Sequence, residues 1–198
     1  GGTFTFSNLT IIGTNKSHYD IHSDAFTTLS RFNFEQMPHI GNYSLSGSKY
    51  FIRVNNSFGE INFLEGISSA TGSNFTRDIS ILNNLATVRT DLVSALNESA
   101  NITLYGIGNR PGILEIVRDG KSCGSLCRNF TALNATNVMF NVTSWTNYSI
   151  GDATPPGVSI IFPANGSLYT TNNLPLNFNV SLNENGTVLY SLTNGSTN

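Results

Sequence analysis

The sequence carries little charge. Only 11% of its 198 residues are Asp, Glu, Lys or Arg, against roughly 25% in ordinary soluble domains. Its net charge is −2, and its ten Lys and Arg residues form no cluster. Binding to nucleic acid or to an anionic membrane surface requires a basic patch, so neither partner is expected. Something other than charge must therefore keep the surface hydrated.

Long hydrophobic runs and catalytic motifs are also missing. No run approaches the roughly 18 apolar residues of a membrane span, and no signal peptide is recognisable, so we expect a mature fragment without membrane insertion. No Ser-His-Asp arrangement, phosphate-binding loop or HExxH motif occurs. The acidic residues are scattered, and Glu60 with Glu65, the nearest approach to a carboxylate pair, is interpreted as surface charge. The sequence predicts no catalytic residue and no enzyme.

Asparagine, in contrast, is abundant, with 27 Asn beside 23 Ser and 21 Thr. Random placement would create about six Asn-x-Ser/Thr triplets, the acceptor pattern for N-linked glycans, whereas the sequence has fifteen, none with Pro in the middle. Turns and exposed strand faces also use these residues, but the excess indicates selection for glycosylation. The predicted sites are Asn8, Asn15, Asn42, Asn55, Asn74, Asn97, Asn101, Asn129, Asn134, Asn141, Asn147, Asn165, Asn179, Asn185 and Asn194.

The chain has only two cysteines, Cys123 and Cys127. A lone pair this close in a secreted protein favours a small disulfide loop. A metal site would need further ligands nearby, and the neighbouring residues are Gly, Ser, Leu, Arg and Asn. A disulfide is therefore expected.

Short apolar alternations separated by Gly, Asn, Ser and Thr clusters are typical of an all-β protein. In the first hundred residues they recur at Phe4, Phe32, Ile61, Ile79 and Ile102, at intervals of 28, 29, 18 and 23 residues. Loosely repeating units of this kind favour a parallel β-helix, or solenoid, although a β-sandwich also spaces its strands with turns. Helix signals are nearly absent, and the best candidate is a short connecting helix at 91–100.

The stretch 113–152 has a different pattern. It contains a predicted strand at 113–117, the turn Asp119-Gly120, the cysteine loop and an alternating strand at 138–142. The acceptor Asn141 falls on the face opposite Phe140 and Val142, as a strand with one buried face requires. We interpret this stretch as a disulfide-tied cap.

The two prolines within 152–157 indicate a domain boundary, because they remove backbone donors and force extended backbone. Beyond them, strands are predicted at 158–162, at 174–182 with strict alternation, and at 188–192 after a turn. An immunoglobulin-like sandwich needs about seven strands. The segment 153–198 is therefore expected to be a partial Ig-like domain, whose missing strands are unobserved or come from another subunit by strand addition.

Three segments carry a resemblance to a known family: 95–105 (ALNESANITLY), 117–127 with its two cysteines, and 140–148 (FNVTSWTNY). They resemble the closing region of secreted archaeal surface proteins with a right-handed parallel β-helix. The run 154–192 is similar to the Ig-like modules that often follow in such chains. The resemblance covers roughly 95–198 and implies a fold and a location. It implies no activity, since fold analogy alone does not assign function.

Two further groups are candidates for ligand binding. His18, Asp20, His22 and Asp24 would share one face of a strand and offer imidazole and carboxylate groups to a metal ion. Such a row spans about 20 Å, so at most two adjacent ligands reach one ion, and a solvent-facing strand is the simpler interpretation. Separately, four aromatic side chains could stack on sugars, although packing in the core or against a glycan is favoured: Tyr105, Trp145, Tyr148 and Tyr169.

Together these observations predict an all-β chain: β-helix rungs at 1–112, a cap at 113–152 and a partial Ig-like domain at 153–198. We expect an extracellular or cell-surface structural subunit of a surface layer, sheath or filament, with covalent N-linked glycans, no cofactor, and self-assembly with other copies. The alternative is a carbohydrate-binding or carbohydrate-cleaving module on a cell-surface stalk. Any contact surface should lie in an acceptor-poor stretch, between Asn101 and Asn129 or between Asn15 and Asn42.

Overall fold

The chain divides into two compact units, Gly1–Ala153 and Thr154–Asn198. The structure is a computed structural model, and it describes residues 3–7, 20–23, 30–36, 39–46, 49–108, 110, 112–152, 157–164, 166–167, 177–183 and 187. The strands of the first unit are β1 (Thr3–Ser7), β2 (Ile21–Ser23), β3 (Ser30–Glu35), β4 (Tyr43–Leu45), β5 (Tyr50–Asn56), β6 (Gly59–Phe63), β7 (Ala70–Gly72), β8 (Ile79–Leu82), β9 (Leu85–Val88), β10 (Ala100–Tyr105), β11 (Glu115–Arg118), β12 (Lys121–Ser122), β13 (Cys127–Asn129), β14 (Asn137–Val142) and β15 (Asn147–Gly151). Those of the second unit are β16 (Val158–Phe162) and β17 (Asn179–Leu182).

The strands of the first unit form three sheets. A seven-stranded sheet has the order β1-β3-β5-β6-β10-β14-β13, a five-stranded sheet the order β12-β11-β15-β9-β8, and a three-stranded sheet the order β2-β4-β7. Buried side chains from all three sheets pack into one hydrophobic core. The described helical structure is limited to one short helix, α1 (Phe75–Asp78), and two 3₁₀ turns, Ser94–Leu96 and Gly124–Leu126.

Period-2 alternation explains why these segments are strands. In β10, Ala100, Ile102 and Leu104 are fully buried, while Asn101 and the other intervening residues face outward. β6 and β14 alternate in the same way and flank β10 on either side. Because each strand buries one face and solvates the other, the sheet has an apolar inner face and a polar outer face.

The prediction of an all-β protein is confirmed. The parallel β-helix expected at 1–112 is not shown, since no described sheet closes or curls. Parallel pairing joins β1, β3 and β5 in one sheet and β2 and β4 in another. From β6 onward every described pair is antiparallel.

The expected 28-residue interval does correspond to a parallel ladder, in which Phe4 lies beside Phe32 and Phe6 beside Phe34. The next interval, the 29 residues from Phe32 to Ile61, does not correspond to a parallel ladder, because β5 lies between β3 and β6 in the sheet. Phe32 pairs with Ile52, and Ile61 then belongs to a strand that runs back antiparallel to β5. A two-residue turn between β5 and β6 reverses the chain where a further solenoid rung was expected.

The segment 113–152, expected as a cap, lies within the first unit. Its strand β14 pairs with β10, and β15 pairs with both β9 and β11. The turn predicted at Asp119-Gly120 is present between β11 and β12, and both residues adopt the positive φ that such a turn requires. The helix predicted at 91–100 is only the 3₁₀ turn Ser94–Leu96, because Ala100 already begins β10.

Trp145 lies at the centre of an aromatic cluster and is 2% exposed. Its ring packs against Phe63 and Tyr148, with centroid distances of 5.6 and 5.8 Å. The indole Nε1 donates a 2.7 Å hydrogen bond to the Glu98 carbonyl, and the Trp145 backbone N–H donates to Asn97 Oδ1 at 2.8 Å. Trp145 therefore links the loop before β10 to the loop before β15.

The second unit contains one described pair of strands, β16 and β17, which run antiparallel with an irregularity between Ile160 and Phe162. Val158 and Ile160 lie opposite Leu182 and Val180, while Ser159 lies opposite Ser181. One face of the pair is therefore apolar, whereas the other carries Ser159, Ser181 and Asn179 together with Phe162, the register partner of Asn179. The other strands predicted for this segment lie outside the described residues.

Replacing Trp145 with Ala should lower the free energy of unfolding by about 3–5 kcal/mol, because it leaves a cavity in the core and removes the donor to the Glu98 carbonyl. Thermal and urea denaturation followed by circular dichroism measure this change. Leu126→Ala is the control, since Leu126 is 58% exposed, and its effect should stay within about 0.5 kcal/mol. Equal losses in the two variants would contradict the assigned core role.

Candidate functional site

The acceptor asparagines are the first candidate site. Ten of the fifteen lie among the described residues, and none of these ten is buried. Five are exposed: Asn97, Asn129, Asn134, Asn147 and Asn179. Five are half-buried: Asn42, Asn55, Asn74, Asn101 and Asn141. The remaining acceptors lie outside the described residues: Asn8, Asn15, Asn165, Asn185 and Asn194.

Strand alternation places three of these acceptors on the outer face of the seven-stranded sheet. Asn101 on β10 and Asn141 on β14 each lie between residues that point into the core, and Asn55 on β5 follows Val54, which packs against the core. Sequence reasoning predicted this orientation for Asn141, and the structure confirms it. Three of the predicted acceptor motifs therefore lie on the polar face of the seven-stranded sheet.

Several acceptors contribute their side-chain oxygen to the fold. Asn74 Oδ1 accepts from the Arg77 backbone N–H at 2.9 Å and caps α1. Asn97 Oδ1 accepts from the Trp145 backbone N–H, and Asn147 Oδ1 accepts from the Thr87 hydroxyl at 2.9 Å. A glycan is attached through Nδ2, so these contacts leave the attachment atom available. At these positions the same residue can support the fold and carry a sugar.

A continuous polar row crosses all seven strands of the sheet on this outer face. Neighbouring strands place its members directly beside one another: Thr5, Asn33, Arg53, Asn62, Asn101, Asn141 and Arg128. Side-chain amides thus occupy four of the seven positions. We refer to this set as the polar row.

Arg53 stands near the middle of the polar row and contacts two carboxylates. Its Nη2 atom lies 2.7 Å from Glu60 Oε2, and its Nη1 atom lies 3.5 Å from Glu35 Oε1. The hydrogen bond with Glu60 raises the pKa of the Arg53 guanidinium. Both carboxylates share this one guanidinium, whose single positive charge balances only one of them. The arrangement offers hydrogen-bonding groups on the outer face of the sheet.

This cluster was not found by sequence reasoning, which compared Glu60 with Glu65. Glu65 instead accepts a hydrogen bond from the Ser99 hydroxyl at 3.1 Å. Glu35 and Glu60 are both placed opposite Asn55, one by parallel and one by antiparallel pairing. Their proximity depends on the register of three strands, which the local pattern of acidic residues does not encode.

A second charged cluster surrounds a buried carboxylate at the end of α1. Asp78 is 0% exposed, and its Oδ1 atom accepts from the Arg77 Nε and Nη2 atoms at 3.0 and 2.7 Å. Its Oδ2 atom accepts from the Tyr43 hydroxyl at 3.2 Å. Burial, together with the Asp78 carboxylate, raises the pKa of the Tyr43 hydroxyl well above its usual range. Among the described side chains, Tyr43 and Arg77 donate to the Asp78 carboxylate, which supports a structural role for the cluster.

The metal candidate is only partly described, because His18 and Asp24 lie outside the described residues. Asp20 is half-buried just before β2, and the His22 side chain is exposed on β2. Within the described ranges, no group of three His, Cys, Asp or Glu side chains could hold a metal ion. The interpretation of this segment as a solvent-facing strand stays a prediction.

The aromatic candidates divide by burial. Trp145 and Tyr148 are 2% and 1% exposed, so the predicted core role is confirmed for both. Tyr105 is half-buried on the outer face of β10, and Tyr169 lies outside the described residues. Neither Trp145 nor Tyr148 presents a free ring face for stacking on a sugar.

The predicted disulfide between Cys123 and Cys127 is present. It brackets the 3₁₀ turn Gly124–Leu126. Cys123 follows β12 of the five-stranded sheet, and Cys127 begins β13 of the seven-stranded sheet. The bond therefore ties the edges of two sheets together, and it is typical of proteins from an oxidising compartment.

None of the helices in the described ranges is long and apolar enough to span a membrane. Comparisons with protein-family models, with curated proteins and with solved structures found no match.

Alkaline pH should destabilise the fold through Tyr43. The raised pKa of this hydroxyl means that the unfolded chain ionises first, from pH about 10 upward, so this contribution to stability is complete below pH 10 and is lost above it. Each pH unit above that point costs at most about 1.4 kcal/mol per tyrosine. Urea unfolding at pH 8 and pH 11 measures the change.

The matched variant is Tyr43→Phe, which keeps the ring and removes the ionisable group. At pH 8 it should be less stable by about 1.5–3 kcal/mol, because Asp78 loses a hydrogen bond. Between pH 8 and pH 11 the variant should lose less stability than the native chain. Both proteins retain Tyr148 as a second buried tyrosine, so its contribution to the loss is the same in each. An identical loss in the two proteins would show that Tyr43 does not titrate with unfolding.

Proposed function

We propose that this chain is a structural, heavily N-glycosylated segment of an extracellular assembly such as a surface layer, sheath or filament. The observation that carries the proposal is the placement of the acceptors, since all ten described acceptor asparagines lie outside the hydrophobic core. The low charge of the sequence supports it, because glycans would supply the hydration that charged side chains supply elsewhere. The disulfide supports an oxidising location.

We also propose the type of surface protein, a parallel β-helix followed by an Ig-like module. Along the first five strands the chain alternates between two sheets, with β1, β3 and β5 parallel in one and β2 and β4 parallel in the other. Solenoid coils wind in this manner. The alternation supports the resemblance to archaeal surface proteins with a parallel β-helix, and the strand pair β16 and β17 supports an Ig-like module after it.

Assembly between copies is the remaining part of the proposal. Among the described residues of the second unit, Val158 and Ile160 are 53% and 67% exposed on the apolar face of the pair. The acceptor Asn179 lies with Ser181 on the alternate positions of β17, away from Val180 and Leu182. A glycan there would leave the apolar face open to strands from a second copy.

Carbohydrate binding is the competing function, and the polar row favours it. Amides and two guanidinium groups in one row across a sheet present donors and acceptors suited to sugar hydroxyl groups. However, Asn55 and Asn101 are themselves acceptors on this face, and glycans attached there would occupy the space that a free sugar would need. The structural role therefore accounts for more of the observations.

Mass spectrometry of the full chain from a host that attaches N-linked glycans tests the proposal. We expect a mass far above 21.4 kDa, with sugar on most of the exposed acceptors, Asn97, Asn129, Asn134, Asn147 and Asn179. Enzymatic or chemical removal of the glycans should restore the protein mass and reduce solubility. Binding of free oligosaccharides to the deglycosylated chain, together with an unmodified native mass, would instead support the competing function.

Self-assembly is tested by size-exclusion chromatography with light scattering over a range of concentrations. The glycosylated chain should associate, and Ile160→Lys should shift it toward the monomer, because the interface would then bury an unpaired charge. Ser159→Lys is the matched control, since the same charge one residue away projects from the polar face of β16. A monomer at every concentration, or equal effects of the two variants, would overturn assembly through this face.

A further inference from the structure

Two acceptors stand directly opposite each other on the polar face. Asn101 on β10 and Asn141 on β14 are register partners in an antiparallel pair, so their Cβ atoms are separated by about 5 Å. Their motifs are closely matched, Asn101-Ile-Thr103 and Asn141-Val-Thr143, with a β-branched aliphatic residue in the middle and Thr at the end. Both side chains are half-buried. The motif therefore gives no reason for the two sites to differ.

The hydrogen bonds of the two amides do differ. Asn141 Nδ2 donates to the Ala100 carbonyl at 3.1 Å and to Asn101 Oδ1 at 3.1 Å. A primary amide nitrogen has two hydrogens, so both are used. The carbonyl of Ala100 can only accept, which fixes the orientation of the Asn141 amide. Asn101 contributes its oxygen to this pair, and no described group accepts from its Nδ2 atom.

From this asymmetry we infer that Asn101 carries a glycan in the mature chain, whereas Asn141 stays unmodified and orients the Asn101 amide. The inference rests on the proposed glycosylation and specifies which of the two opposed acceptors is used. Asn101 belongs with Asn74, Asn97 and Asn147, which also give only their oxygen to the fold.

The attachment chemistry explains the selectivity. The nitrogen Nδ2 forms a bond to C1 of a sugar activated as a phosphate ester, the bond from C1 to the phosphate oxygen breaks, the phosphate group leaves, and one amide proton goes to a base of the transferase. The product keeps a single N–H. Asn101 can lose a hydrogen at no cost to the described contacts, whereas Asn141 would lose one of its two bonds.

Steric overlap also disfavours a glycan on Asn141. Each hydrogen of Asn141 points at an oxygen 3.1 Å from the nitrogen, and a sugar carbon bonded in place of that hydrogen would overlap the acceptor. A glycan on Asn141 would therefore require the side chain to rotate away from β10. Two glycans on the opposed pair would also compete for the same region of the polar face.

Site-resolved glycopeptide analysis tests the inference. The full chain is produced in a host that attaches N-linked glycans, digested with trypsin and chymotrypsin, and fragmented by electron transfer. Occupancy at Asn101 should exceed that at Asn141 by roughly fivefold or more, the factor that corresponds to one intramolecular hydrogen bond. Equal occupancy, or higher occupancy at Asn141, would overturn the inference.

Variants of each site provide a second readout. Asn101→Gln should remove one glycan from the intact mass, whereas Asn141→Gln should leave the number of glycans unchanged. Asn101→Ala removes one acceptor of Asn141 Nδ2 and frees one of its hydrogens, so Asn141 should then gain occupancy. Continued absence of sugar from Asn141 in this variant would contradict control by the opposed amide. Circular dichroism verifies that each variant folds.

The exposed acceptors separate this inference from the proposed function. If Asn97 and Asn134 carry sugar but Asn101 does not, the inference fails while the glycoprotein role stands. If no acceptor carries sugar, both fail.

Discussion

The structure depends on the requirement that every central strand of the seven-stranded sheet bury the same face. β10 illustrates it, since Ala100, Ile102 and Leu104 are fully buried and β6 and β14 pack on either side in register. A shift of one residue would move the entire apolar set to solvent. The same constraint forces the intervening residues outward, and this is why Asn101 and Asn141 lie on the polar face. Core packing and acceptor placement are therefore two results of one alternation.

Sequence reasoning succeeded where the information was local. The alternation predicted β10 and β14, the Asp119-Gly120 pair predicted the β11–β12 turn, and the 28-residue interval matched the Phe4 and Phe32 ladder. It failed to predict where the chain reverses its direction. The turn between β5 and β6 consists of Ser57 and Phe58, held by a hydrogen bond from the Phe58 N–H to Asn56 Oδ1, and it lacks the Asn-Gly or Asp-Gly signal of a tight hairpin. The reversal of the chain there was therefore not recognisable, and a solenoid rung was expected instead.

The features of the candidate site also divide into those that are local in the sequence and those that depend on strand register. An acceptor motif is three residues long and is visible in the sequence, so all ten described acceptors could be predicted. Which amide nitrogen the fold uses is set by the strand opposite, and the pairing of Asn101 with Asn141 joins residues forty positions apart. The contact of Glu35 and Glu60 with Arg53 requires the register of β3, β5 and β6 together. Interactions that depend on register were not accessible from composition or spacing.

Edge strands restrict how the proposed assembly could form. The acceptor-poor stretch between Asn101 and Asn129 folds into β11 and β12, but β12 is only two residues long and carries Lys121, features that discourage pairing with another chain. At one end of the seven-stranded sheet, β13 carries Arg128 and the acceptor Asn129, so charge and sugar would both protect it. At the other end, β1 has no charged residue and Phe4 is 51% exposed. Among the described residues of these two edge strands, charge therefore opposes strand addition at β13 but not at β1. Since β1 pairs in parallel with β3, a strand added there in the same direction would extend the parallel run of β1, β3 and β5.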